Sequence, residues 1–224
     1  MAGARLATLV FALAFWPVAN AGGAEADAGV VHAAAIVIDG HLDLPADHAD
    51  PAWNGAADGR AQVDLPKMER GGVDAAVFSL FAWQQADTPE EDAKAVATGR
   101  AKLEAIERMV ANDPARVGLA RSADELEAHA RAGRRSVLLS VLNATVLGRE
   151  AELLTAYHLR GLRQVGFVHA GHNAFADSSR PMAKNGDAAT RWGGLSPRGR
   201  RLVGELNDLG IIVDVSQLSS EAQR

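Results

Sequence analysis

Six short apolar runs, alternating with helical or turn-rich stretches, limit the folds open to this chain. The runs are residues 35–38, 73–81, 117–120, 135–141, 162–169 and 211–216, and their length and β-branched content suit buried strands. Between them lie helix signals. Residues 88–112 carry Thr88 as a cap, Pro89 at the first helical position, Glu90 and Glu91 at the positive end, and Ala93, Val96, Leu103, Ile106 and Met109 at helical spacing. That helix reads as a packing element. Ser122 and Glu125 form a capping box for a helix to about Ala132, residues 150–158 read as another, and residues 196–209 begin with Pro197 and stop at Gly210. A shorter helix enters through Asp64, Leu65 and Pro66 and ends at Gly71-Gly72. Strand, helix and strand in repetition demand parallel pairing, because each helix returns the chain to the same end of the sheet.

Two architectures satisfy that demand, an open doubly wound sheet and a (β/α)8 barrel. No Gly-rich phosphate loop follows the first strand, which disfavours the nucleotide-binding sheet. Polar residues collect instead at the carboxyl ends of several strands: His41 and Asp43, Asn143, His169 with His172 and Asn173, and Asp214 with Gln217. In a barrel those ends meet on one face, where an active site is built. The expected fold class is therefore α/β, a (β/α)8 TIM-barrel type in incomplete form, with about six of eight βα units.

The first strand carries the chemistry most directly. In I-V-I-D-G-H-L-D-L-P, residues 36–45, strand alternation places Asp39, His41 and Asp43 on one side, with His41 and Asp43 about 7 Å apart along the backbone. An imidazole nitrogen and a carboxylate oxygen are zinc donors. The same pair also describes a histidine hydrogen-bonded to a neighbouring acid, and the pattern alone leaves both open. His172, Asn173 and Asn143 are candidates to line a substrate pocket, against the alternative of turn-stabilising side chains. Asp214 is a candidate to hold a ligand in place from behind. His48 and Asp50 read as part of a solvated loop.

With 48% hydrophobic and 23% charged residues and a net charge of −5, the chain suits one sizeable core and gives no reason to expect nucleic acid. It has no cysteine, so disulfides, thiolate ligands, a cysteine nucleophile and a lipid-modified cysteine are all excluded. Chemistry must use oxygen and imidazole. At the amino end, Arg5, an apolar run over residues 6–18 and Ala19-Asn20-Ala21 have the layout of a signal peptide, residues 1–21. The run is too short to span a bilayer comfortably. The expectation is an exported protein, periplasmic or secreted, with no transmembrane helix after cleavage, a mobile leader over residues 22–34 and the barrel domain over 35–224.

The chain also resembles the zinc-dependent membrane dipeptidases, also called renal or microsomal dipeptidases, and their bacterial relatives. The matching pieces are I-D-G-H-L-D-L at 38–44, D-L-P-K-M-E-R-G-G-V at 64–73, G-L-R-Q-V-G-F-V-H at 161–169, H-N-A-F-A-D-S at 172–178, G-L-S-P-R-G-R at 194–200 and N-D-L-G-I-I-V-D-V-S at 207–216. The resemblance implies a (β/α)8 barrel with two zinc ions that share a carboxylate and a water, hydrolysing dipeptides. It assigns His41 and Asp43 to the first zinc, and His169 to the catalytic contact with the substrate and its tetrahedral intermediate.

Three departures from the family pattern bear on activity. Leu142 stands where the resemblance places the glutamate that bridges both metals, and leucine has no donor atom. Gln217 stands at the second-metal position, where many members have histidine, and offers at most an amide oxygen. The later histidine, arginine and aspartate of the family have no counterpart before Arg224, so the chain reads as a partial barrel. The expectation is one weak zinc site at most, a dipeptide as small-molecule partner, possible homo-oligomers and doubtful turnover. The alternatives are a non-catalytic remnant or peptide-binding barrel fragment, and another amidohydrolase-type metal hydrolase.

Overall fold

The computed structural model describes residues 27–44, 48, 50 and 53–224; the expected signal peptide lies outside the described residues. Six strands pair in parallel throughout: β1 Ile38–Leu42, β2 Ala75–Phe81, β3 Val117–Leu119, β4 Arg135–Leu142, β5 Leu162–Gly166 and β6 Ile212–Asp214. The main path is β1-β2-β4-β5-β6, with β3 paired to β4 outside it. Because β2 holds one edge of β4 along residues 136–142, β3 takes the opposite edge at residues 135–137, and β5 continues that edge from Leu139. Only five of the six strands therefore occupy places in the wall.

Curvature follows from which residues meet. In a flat sheet β1 and β6, four strand steps apart, would be separated by about 19 Å. Instead Gly40 and His41 from β1 line the same cleft as Ile212, Asp214 and Gln217 from the β6 end, with Leu142 between them on β4. The sheet is curled, the arrangement of a partial (β/α)8 barrel, and its carboxyl ends converge.

Helices α1 Ala28–Ala34, α2 Leu65–Arg70, α3 Pro89–Asn112, α4 Ala123–Arg131, α5 Leu154–Leu159 and α6 Pro197–Asp208 accompany the sheet. The caps read from sequence at Thr88 and Ser122 are made, and Asp64 and Ser196 cap their helices as well. The side chains of Asp64, Thr88, Ser122 and Ser196 accept from the amides of Lys67 (2.9 Å), Glu91 (3.3 Å), Glu125 (3.2 Å) and Gly199 (3.1 Å). Each such cap is worth about 1 kcal/mol.

Four expectations need correction. The first strand starts at Ile38 and is exposed except at Leu42: among the described residues β1 pairs with β2 alone, at the edge of the sheet, and Ile36 and Ile38 remain about half exposed. The fifth strand stops at Gly166 because the Phe167 carbonyl accepts from the amide of Ala144 (3.0 Å) and from Asn173 Nδ2 (2.6 Å). The helix expected from residue 150 begins only at Leu154, after Ala151 adopts a positive φ of 58°. Within the supposed leader, residues 28–34 form α1, none of it buried, although His32 Nε2 reaches the Gly71 carbonyl at 3.1 Å.

The core lies between the helices and the outer face of the sheet, with Leu80, Leu103, Ile106, Leu139, Leu162, Leu202 and Leu206 fully buried. Gly99 sets the depth of α3 against the 3-10 turn Ala144–Leu147, since a Cβ there would stand 2.1 Å from Val146 Cγ1. Gly99→Ala should therefore destabilise the protein by about 1–3 kcal/mol in urea titration despite alanine's better helix propensity. In the double variant with Val146→Ala, a favourable coupling of about 1 kcal/mol or more is expected.

Candidate functional site

Leu42 pairs with Phe78 where Asp39 pairs with Ala76, so three steps along β1 oppose two along β2 and the strand bulges at Gly40 and His41. The bulge breaks the alternation on which the grouping of Asp39 with His41 and Asp43 rested. Asp39 turns to its own backbone and accepts from the His41 amide at 3.0 Å. His41 and Asp43 do converge, with Nε2 and Oδ1 3.4 Å apart. They stand between two clefts.

The first cleft, about 540 Å³, is lined by His41, Leu142, Gln164, Asp214 and Gln217. Gln164 Nε2 donates to Asp214 Oδ2 (2.9 Å) and the Ser216 amide to Oδ1 (2.8 Å). Burial opposes the charge on Asp214, but Ser216, Gln164 and the nearby His41 hold its carboxyl below the usual range. Gln217 has a φ of 63°, in the left-handed region, and is fixed there because its carbonyl accepts from the Ser179 amide (2.9 Å) and hydroxyl (3.2 Å). Its buried side-chain Oε1 has no hydrogen-bond partner. Leu142, 4% exposed, supplies only methyl groups to this wall.

The second cleft, about 600 Å³, is lined by Asp43, Phe81, Trp83, Lys94, Lys102 and His169 among others. The His169 ring packs on Phe81 at 4.8 Å and Trp83 at 5.1 Å. Burial, then the charges of Arg180 and His41, push the His169 pKa down against the pull of Asp43, so the imidazole is neutral at pH 7. Its buried Nδ1 has no partner.

A metal at this end would be offered the imidazole of His41, the carboxylate of Asp43 and the amide oxygen of Gln217. Among the described residues, no three His, Cys, Asp or Glu side chains gather as a metal site. Catalytic zinc takes three protein ligands and a water. The residues present do not fit a complete centre of that kind.

Comparison with known proteins decides the ancestry. The family model of the membrane dipeptidases, peptidase family M19, matches residues 25–224. The chain belongs to the membrane dipeptidase family. It is 31% identical over 168 residues to dipeptidase aclJ of Aspergillus oryzae, covering 73% of this chain and 38% of that protein. The structure of the probable dipeptidase PvdM from Pseudomonas aeruginosa superposes with a TM-score of 0.81 at 34% identity, covering 87% of this chain and 50% of that one. A metallo peptidase from Rhodobacter sphaeroides, liganded with a phosphinate mimic of L-Ala-D-Ala, shares the fold at 23% identity and a TM-score of 0.70. The chain spans between about two fifths and three fifths of the lengths of these three relatives.

In this dipeptidase-family chain three of the expected pocket residues turn away from both clefts. Asn143, at a positive φ of 75°, donates to the Ala82 carbonyl (3.0 Å) and Gln84 Oε1 (3.1 Å) and accepts from Asn173 Nδ2 (2.9 Å). Asn173 Oδ1 accepts from the amides of Phe175 and Ala176. His172 Nδ1 accepts from the Ser178 amide, which leaves Nε2 to donate to the Ala188 carbonyl at 3.0 Å. These side chains build the loop that carries His169, and every polar position is occupied. His48, expected in a solvated loop, is buried against Trp53.

Asp177, which sequence reasoning passed over, is the centre of that loop. Its carboxylate accepts from Thr190 Oγ1 (2.6 Å) and from the amides of Arg191 (3.0 Å), Trp192 (3.0 Å), Gly193 (2.9 Å) and Gly194 (3.2 Å). Burial pushes its pKa up, but these donors outweigh it and the pKa is lowered on folding. A lowered folded-state pKa contributes stability above the unfolded value near 4, and that contribution is lost as the pH falls through the folded value. Asp177→Asn should therefore cost about 2–3 kcal/mol at pH 7 and little at pH 2. Denaturant titration of both proteins at the two pH values measures the difference.

Proposed function

We propose that this chain is a dipeptide-binding protein built on the dipeptidase barrel, in which hydrolysis is suppressed by the loss of one metal donor at Leu142. The observation that carries this reading is the composition of the first cleft: His41 on one side, Gln217 on the other and an apolar side chain between them. In the family's chemistry the metal, zinc by resemblance, activates water at this place. Two donors and an amide oxygen hold such an ion weakly.

The second cleft supplies what binding needs. Its volume of about 600 Å³ suits a small peptide. Neutral His169 presents an imidazole against an aromatic wall, suited to a hydrogen bond with a peptide carbonyl. Dipeptide as ligand accords with the family and with the dipeptidases the chain is similar to.

A second reading is favoured by the unpartnered Gln217 Oε1. In it Gln217 replaces the lost carboxylate and the protein is a slow zinc dipeptidase. The two readings separate in an assay of Ala-Ala hydrolysis with added zinc. The unaltered chain is expected to give no turnover above background, and Leu142→Glu to give measurable turnover, because a carboxylate restores a third donor. Turnover by the unaltered chain that is lost in Gln217→Ala would establish the second reading instead.

A further inference from the structure

Lys102 occupies the buried stripe of α3 formed by Ala95, Gly99, Lys102, Ile106 and Met109 and is only 9% exposed. Its amine stands 5.8 Å from the centre of the Phe81 ring and lines the second cleft with Asp43, Trp83 and His169. Among the described residues it makes no hydrogen bond and no ion pair. The other charges of the cleft are accounted for: Lys94 pairs with Glu91 at 2.5 Å, and Asp43 lies 3.4 Å from His41. Lys102 is the cation left over.

The stem of Lys102 is buried in the stripe and its amine opens on the cleft over the Phe81 ring, where an anion entering the cleft would meet it. Burial draws its pKa down, opposed by the attraction of Asp43. Helix α3 needs no charge there for packing, since the positions around it on the stripe are Ala, Gly, Ile and Met. The aromatic wall of Phe81 and Trp83 lowers the local dielectric and strengthens a charged hydrogen bond formed inside the cleft.

We propose that Lys102 anchors the free carboxylate of the peptide ligand, with the ligand's apolar side chain lying on Phe81 and Trp83 and its peptide carbonyl toward His169. This rests on the dipeptide-binding reading and adds to it the group that selects a peptide with an unblocked carboxyl end. The alternative is a lysine that only lays its stem on apolar surface and leaves its head to solvent.

Calorimetry of the full chain with EDTA present, using Ala-Ala, its carboxyl-terminal amide and N-acetylalanine, tests it. A hydrogen bond to a charged group is worth about tenfold or more in affinity, so the unaltered protein should prefer Ala-Ala to the amide by about that factor. Lys102→Met should lower Ala-Ala to the level of the amide and leave the amide unchanged, while Lys102→Arg keeps part of the preference. Both variants should melt close to the unaltered protein, because the Lys102 amine opens on the cleft and neither replacement leaves a buried polar atom unpaired. The amide comparison on the unaltered chain stands even if a variant fails to fold.

Equal affinity for Ala-Ala and its amide, or an unchanged preference in Lys102→Met, overturns the anchor and leaves dipeptide binding intact. Lys102-dependent binding of N-acetylalanine without binding of Ala-Ala overturns the dipeptide reading and keeps the carboxylate anchor. No binding of any of the three overturns both.

Discussion

The hydrogen-bond ladder on β4 is the constraint from which the rest of the molecule follows. β2 occupies one edge of this strand, β3 and β5 share the other, and the helices pack outside that layer. A parallel strand filled on both edges must be covered on both faces, and β4 is accordingly apolar and almost wholly buried. Its last residue, Leu142, is delivered to the floor of the first cleft by the same ladder. Fold and chemistry meet at that residue: the backbone places it in one cleft with His41 and Gln217, and its side chain offers no donor atom.

The two clefts divide the work between them. His41, in the bulged part of β1, and Asp43, just beyond that strand, approach to 3.4 Å, and His41 lines the first cleft while Asp43 lines the second. The first cleft keeps the polar side chains of His41, Gln164, Asp214 and Gln217, and among the described residues no three His, Cys, Asp or Glu side chains gather as a metal site. The second keeps an aromatic shelf, a neutral imidazole and an unpaired ammonium. Loss in the first does not disturb the second, because the loop that positions His169 is held by the independent network of Asn143, His172, Asn173 and Asp177.

Local signals made most of the framework legible. Thr88, Ser122 and Pro197 announced their helices, and Gly71-Gly72 and Gly210 their ends, since such signals depend on neighbouring residues alone. The exposure of β1 was not legible, because whether an apolar run lies at an edge depends on partners elsewhere in the chain. The bulge at Gly40 is likewise a property of the pair β1 and β2. Asn143, His172 and Asn173 looked like pocket residues because polar side chains after strands serve loops and substrates alike. Lys102 carried a signal that was available and unused: a lysine at a stripe position of a strongly capped helix. Asp177 carried none, for its donors are the Thr190 hydroxyl and four backbone amides, which sequence cannot place around it.

A barrel face that keeps a peptide cleft beside an incomplete metal centre, as proposed, holds zinc weakly. Zinc content of the purified chain after exhaustive dialysis, measured by elemental analysis, tests it most directly. Far less than one zinc per chain is expected. One firmly held zinc or more would mean that another donor replaces the carboxylate missing at Leu142, and would contradict it.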